Sequence, residues 1–173
     1  MAGNHLGVVV GDIYFVDPRP DLGQEGAERG VRLELRCFER EPLQGSIYSA
    51  VPIRVDRPLW RVDLLESAAS APGSLDRAHH HPRFAGWEPG RREFVEELTA
   101  DPLGWLRERL ADPAGVLADA GEDPGPHTDD VTALQAGAPL VVGAVEHLLA
   151  EVAAGRAGLA PDGAGESVRA SWL

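Results

Sequence analysis

The stretch VRLELRCFER, residues 31–40, decides the fold of this chain. Val31, Leu33, Leu35 and Cys37 alternate with charged side chains, and side chains on a β-strand point alternately to its two faces. The pattern therefore predicts a strand with one apolar face against a core and one polar face. Because Cys37 belongs to the apolar set, we interpret this single cysteine as an inert core thiol.

Further strand patterns surround this stretch in the first half of the chain. Residues 7–16 are rich in Val, Ile, Tyr and Phe and are followed by two nearby prolines. Residues 47–55 alternate again, and the alternation resumes in residues 60–64 after a turn-like segment at 56–58, which predicts a hairpin. We therefore expect an antiparallel sheet of about five strands within residues 1–88.

In residues 89–155 the apolar residues recur at the spacing that is typical of helices. Two Asp-Pro pairs, at 101–102 and 112–113, each place a capping side chain before a proline that suits the first helical turn. A longer apolar helix should follow, kinked or split at Pro139. Its broad apolar stripe is either core or the seam of a homodimer. The stripe consists of Leu140, Val141, Ala144, Val145, Leu148, Leu149 and Val152.

Strands followed by helices favour an α+β fold, in which C-terminal helices pack on an N-terminal antiparallel sheet. A length of 173 residues suits a single domain over residues 1–173, with a glycine-rich tail at 156–173. Residues 1–11 lack a secretory signal pattern, and no run of about 18 to 20 apolar residues occurs. We therefore expect a cytoplasmic protein.

Charge and composition argue against several classes of function. The net charge of −12 opposes binding to nucleic acids and to anionic membranes. All sixteen positively charged side chains are arginine, so neither a Schiff-base lysine nor a Walker-loop lysine is available. A single cysteine excludes an internal disulfide and a thiol-rich zinc site.

The segment DRAHHHPRF, residues 76–84, carries half of the six histidines. In an extended chain His79 and His81 point to one side and His80 to the other, a spacing that offers two imidazoles to one metal ion. Zinc, iron or manganese would suit such a site, with a third ligand from elsewhere. The candidate third ligands are Asp63, Glu66, Glu88 and His127. Alternatively, the run is a polar edge strand or loop whose imidazoles bind backbone and water.

Residues 77–92 contain four arginines, although the chain as a whole is acidic. Arginine's planar fork suits carboxylate and phosphate, so these side chains predict a site for a small anionic ligand. The predicted ligand-binding residues are Arg77, Arg83, Arg91, Arg92 and Trp87. Alternatively, the arginines form surface ion pairs with neighbouring acids. Those acids are Asp76, Glu88, Glu93 and Glu96.

The sequence identifies no family and leaves open whether the protein is an enzyme. The spacing of Gly73, His79 and His81 resembles the opening of the first cupin motif, but that motif's glutamate is missing and no second motif follows. Our first hypothesis is a non-catalytic module that uses residues 79–92 to bind a small anionic ligand or a protein partner. The alternative is a small metal-dependent enzyme with His79 and His81 as metal ligands.

Overall fold

The structure, a computed structural model, describes residues 5–16 and 26–161 and has the predicted α+β fold. Its main sheet is antiparallel with the strand order β1-β2-β3-β4. These strands are His5–Phe15 (β1), Glu28–Arg40 (β2), Ile53–Ser67 (β3) and His79–His81 (β4). Phe84–Ala85 (β5) and Glu88–Pro89 (β6) form a second, two-stranded sheet. Most of the predicted glycine-rich tail, residues 162–173, lies outside the described residues.

The main sheet has four strands, one fewer than predicted, because the expected hairpin at residues 56–58 does not form. Strand β3 runs straight through Pro58, while residues 41–52 connect it to β2. Pro58 pairs with Arg36, and the register between the two strands shifts on both sides of Arg36. A proline cannot donate a ladder hydrogen bond, and bulges are where a strand tolerates this loss.

Four helices follow, and two of them begin where the Asp-Pro pairs predicted. Asp101 accepts a hydrogen bond from Gly104 N at 2.9 Å, and Asp112 accepts one from Gly115 N at 3.0 Å. Each aspartate therefore caps the helix whose first residue is the following proline. The helices are Glu96–Ala100 (α1), Pro102–Ala111 (α2), Pro113–Ala120 (α3) and Thr128–Ala153 (α4).

Helix α4 continues through Pro139 and is not split. In the apolar stripe, Val145 and Val152 are buried, whereas Leu140 is 80% exposed, so most of the stripe serves the core. Together with the preceding turn, this helix forms the segment Gly125–Ala153, which is long and apolar enough to cross a membrane by length and composition. Core helices, which are mostly buried, pass the same test; here 17% of the apolar window is buried, and α4 packs on β1, β2 and α2.

The helices cover the apolar face of the sheet. Leu33 and Leu35 of β2 and Val62 and Leu64 of β3 are buried on this face. They join buried side chains of the helices in one hydrophobic core, as the alternation in residues 31–40 predicted. Cys37 is also buried in this core, and burial raises the pKa of its thiol. On the opposite face, buried charged residues of β2 and β3 lie beside the buried Ile13 and Leu65, and the charged part of this face, called the polar face below, carries the candidate site.

Candidate metal centre

Strand β4, which is the histidine run, is the last strand in the order of the main sheet. Its register pairs His79 with Asp63 and His81 with Arg61. Directly paired residues of an antiparallel sheet project to the same side. His79, His81 and Asp63 therefore lie on the polar face, and His80 lies on the apolar face.

The side chains of Asp63, His79 and His81 meet there. Asp63 Oδ2 lies 3.4 Å from His79 Nε2 and 3.7 Å from His81 Nε2. One ligand atom from each of the three residues lies within 4.8 Å of the others. All three residues are buried, with exposed fractions of 1% for Asp63, 1% for His79 and 6% for His81. The structure thus brings together three of the four predicted metal ligands.

Backbone carbonyls orient the two imidazole rings. His79 Nδ1 lies 2.7 Å from Arg77 O, and His81 Nδ1 lies 2.7 Å from Gly90 O. A carbonyl oxygen only accepts hydrogen bonds, so each Nδ1 carries the hydrogen, and the neutral ring has a lone pair on Nε2. Both lone pairs are then on the side of Asp63. His79 Nε2 is inaccessible to solvent and has no hydrogen-bond partner among the described residues.

The third member of the cluster, Asp63, is an ionised carboxylate. Arg32 Nε donates to its Oδ1 at 2.6 Å, and Arg32 Nη2 donates to its Oδ2 at 3.1 Å. Burial alone would raise the pKa of Asp63. The positive charge of Arg32 and its two hydrogen bonds oppose the effect of burial and hold that pKa well below its usual range. The cluster therefore combines one negative charge with two nitrogen lone pairs.

This combination has the chemistry and the spacing of a metal centre. Imidazole nitrogen and carboxylate oxygen are ligands of zinc, iron and manganese. Two ligand atoms bound at 2.0–2.1 Å to a tetrahedral ion lie roughly 3.3 Å apart, which is close to the 3.4 Å and 3.7 Å observed here. Metal-binding histidines usually donate their other N–H to a carbonyl or carboxylate, as both of these rings do. Arg32 similarly holds Asp63 by two hydrogen bonds.

The segment 82–95, which contains β5 and β6, covers the centre. The ring of Phe94 lies 5.4 Å from the ring of His79, and that of Phe84 lies 6.4 Å from the ring of His81, centroid to centroid. Gly90, in the same segment, supplies the carbonyl that holds His81. This cover explains why His79 and His81 are as buried as core residues although β4 is the last strand in the order of the main sheet.

An ion-pair network continues along the polar face. Glu34 is fully buried, and its two oxygens accept hydrogen bonds from Arg36 at 2.6 Å and Arg61 at 2.7 Å. Burial, together with the nearby charge of Arg32, lowers the pKa of Arg61. A guanidinium nevertheless stays protonated in proteins. The face next to the centre is therefore built from alternating charges.

Glu66, the fourth predicted metal ligand, does not belong to the centre. It is three residues from Asp63 on the same strand, so it projects to the opposite face. There its Oε1 accepts from Arg29 Nε at 2.9 Å, and its Oε2 accepts from the backbone N–H groups of Gly73 and Ser74. Its role in the described structure is to hold the loop after β3.

The two other candidate third ligands are also elsewhere. Glu88 is exposed in β6. His127 lies at the start of α4, where its Nδ1 is 3.5 Å from Asp130 Oδ2. Neither residue belongs to the cluster of Asp63, His79 and His81.

The structure divides the predicted anion-binding residues among different places. Arg92 lies 3.3 Å from the buried Glu28, and Arg77 lies 4.0 Å from Asp76. Trp87 is 60% exposed, with the guanidinium of Arg36 5.4 Å from its ring centroid. Arg83 and Arg91, by contrast, line one cleft on the other side of β4. The five residues therefore do not form a single site.

Sequence reasoning missed Arg32, which lies beside Asp63, and Arg109, which lies near Arg83. Arg32 belongs to the polar half of the alternation in residues 31–40, which predicted only that it faces away from the core. A signal was nevertheless present, because β2 and β3 both place opposite charges at alternate positions. Arg109 offered no such signal, since it lies in helix α2, far from the histidine run in sequence.

Comparisons of this chain with protein-family models, with curated proteins and with solved structures find no match. The geometry of the described residues is therefore the basis for assigning a function.

Proposed function

We propose that this protein binds one divalent transition-metal ion, with Asp63, His79 Nε2 and His81 Nε2 as its ligands. Zinc, iron and manganese are the ions that this ligand set suits. One observation carries the proposal. Two imidazoles, each fixed by a carbonyl at Nδ1, bring their Nε2 atoms to within 3.4 Å and 3.7 Å of one buried carboxylate oxygen.

Without a cation between them, these three atoms are poorly matched. Each is an acceptor when both rings are neutral. Asp63 Oδ2 still accepts from Arg32, but His79 Nε2 is buried without a hydrogen-bond partner among the described residues, and such an acceptor costs about 1–3 kcal/mol. A metal ion would bind all three atoms and satisfy His79 Nε2. The competing explanation is that one imidazole is protonated and forms an ion pair with Asp63 in a purely structural network. Metal titration distinguishes these explanations.

The test uses protein without a histidine tag, stripped of metal with a chelator and then titrated with Zn²⁺. We expect one bound ion per chain by elemental analysis and isothermal calorimetry. Binding should also stabilise the fold, by about 2.7 kcal/mol when free Zn²⁺ is a hundredfold above its dissociation constant. Both effects should be lost in His79→Gln and in His81→Gln.

His80→Gln is the matched control, because this residue lies in the same strand but projects to the opposite face. It should bind Zn²⁺ like the unmodified chain. The proposal fails if the unmodified chain takes up less than one ion per chain or if His80→Gln loses the ion as fully as the other two variants do. Circular dichroism of each variant shows whether it retains its fold.

A catalytic role is a second candidate, since three protein ligands leave a coordination position for water. Catalytic zinc sites usually have this composition, and structural sites usually have four protein ligands. Metal-assisted hydrolysis is the reaction class that such a site would support. With Co²⁺ in place of Zn²⁺, azide should change the visible spectrum if an open position is accessible. An unchanged spectrum would favour a closed, structural centre.

A further inference from the structure

A cleft of about 620 Å³ lies on the other side of β4 from the metal centre. Its walls come from His80, from the segment 82–95 and from helices α2 and α3. His80 N and O pair with Glu93 O and N at 3.0 Å and 2.9 Å, which fixes the segment along this edge of β4. The cleft does not include the three proposed metal ligands.

Three arginines line this cleft, and two of them are anchored on α3. Arg83 Nε donates to Asp119 O at 2.6 Å, and Arg109 Nη1 lies 3.2 Å from Asp119 Oδ2. Arg109 is also held by Trp105, whose ring centroid is 5.1 Å from the guanidinium carbon. A guanidinium has five N–H donors, so each anchor leaves several donors for a ligand.

Arg91 is the third arginine and has no polar partner among the residues that the structure describes. It lines the same cleft, beside Gly90. The acidic residues in the lining are Glu93 and Asp119, so three cations face two carboxylates. This small positive excess occurs in a chain whose net charge is −12.

His80 adds a buried imidazole to the wall. Its side chain is 7% exposed, its Nε2 lies 3.6 Å from Glu93 Oε2, and its Nδ1 is buried without a hydrogen-bond partner among the described residues. Its ring packs edge-on against Trp105, with the centroids 5.1 Å apart. Trp105 therefore contacts both His80 and Arg109, which keeps the two side chains in fixed positions at the cleft.

We propose that this cleft binds a small oxyanion, a carboxylate or a phosphate, through Arg83, Arg91 and Arg109, with His80 at its base. Guanidinium groups bind such anions through charge-assisted, often bidentate, hydrogen bonds. The neighbouring cleft limits the size of the ligand. The two clefts share Arg109 and Asp119, and the other charged residues that line the neighbouring cleft are all acidic. These acids are Glu97, Glu108 and Asp112. An extended polyanion would be repelled there.

The test is a titration with inorganic phosphate, and separately with acetate, followed by ¹H–¹⁵N spectra of the full chain. We expect saturable shifts of the backbone amides of Gly90, Arg91 and Asp119 with at least one of the two anions. The anion that binds more tightly identifies the ligand class. Arg91→Gln and Arg109→Gln should each weaken binding about tenfold, equivalent to about 1.4 kcal/mol.

Arg107→Gln is the matched control, because Arg107 is an exposed arginine of the same helix that lines a different cavity. It should leave the affinity unchanged. The titration is repeated with the His79→Gln, His81→Gln double variant, in which binding should persist. Shifts that never saturate, equal weakening in Arg107→Gln, or loss of binding in the double variant would each overturn the proposal. The last result would place the anion on the metal.

Discussion

In the middle of β2 and β3, the two faces of the main sheet are equally buried but chemically opposite. On one face Leu33 and Val62 are 1% and 0% exposed and pack in the hydrophobic core with the helices. On the other, Glu34 and Asp63 are 0% and 1% exposed and lie among arginines and histidines. Alternating residues of the same two strands supply both faces, so the pleat alone separates the two environments.

The difference shows which face contributes stability and which could serve function. Burial of apolar surface stabilises the fold by roughly 25 cal/mol per Å². A buried ion pair gains little over a well-packed apolar pair, because the desolvation of two charges offsets their attraction. A polar face that is covered by a short segment, 82–95, is therefore difficult to explain by stability alone. A metal ion bound to Asp63 and the two histidines would account for it.

The largest effect is expected from breaking the polar face at Glu34. In Glu34→Gln, Arg36 and Arg61 lose their shared carboxylate while they stay mostly buried. Removing one partner from a buried ion pair typically costs about 3–5 kcal/mol. Urea denaturation of the variant should show a loss of this size.

Glu39→Gln is the matched control for that prediction. Glu39 pairs with Arg54 near the surface, where both side chains are substantially exposed, and surface pairs contribute about 0–1 kcal/mol. A loss below about 1 kcal/mol in Glu34→Gln as well would show that the polar face tolerates unpaired charges, and that its ion pairs resemble those of the surface.

The apolar face is tested at Leu106, which is fully buried in α2. Leu106→Ala should cost about 2–5 kcal/mol in unfolding free energy, from lost burial and the cavity left behind. Leu140→Ala, at an 80% exposed position of α4, should cost less than about 0.5 kcal/mol. If the folded Leu106→Ala variant still takes up metal with normal stoichiometry, the two faces act independently. A loss of metal uptake in a folded variant would show that they are coupled.

Much of the fold could be predicted from sequence because its signals are local. The alternation in residues 31–40 and the Asp-Pro pairs act through neighbouring side chains and backbone, so β2 and the starts of α2 and α3 were predicted correctly. The hairpin at 56–58 was predicted wrongly, since the effect of Pro58 depends on the partner strand. A shift in the register of β2 against β3 allows Pro58 to remain within the strand. The sequence of β3 alone does not reveal such a shift in pairing.

For the site, the sequence predicted which histidines share a face but not what lies against them. Period-two alternation placed His79 and His81 together, and the structure agrees. Choosing between Asp63 and Glu66 required the register of β3 against β4, which is a long-range property. The two carboxylates are three residues apart, so only one of them can share a face with His79. The Gly90 carbonyl that orients His81 is likewise fixed by the path of segment 82–95.

The smallest effect is expected at the cap of α3, one of the helices covering the apolar face. Asp112 accepts the N–H of Gly115, and Asp112→Ala should lower the unfolding free energy by about 1 kcal/mol. Asparagine caps a helix about as well as aspartate, so Asp112→Asn should stay close to the unmodified chain in a thermal melt. Neither change touches the polar face, so Zn²⁺ binding should be unaffected. Equal losses in both variants would mean that charge, rather than the cap hydrogen bond, stabilises the start of this helix, because the macrodipole favours only the charged side chain.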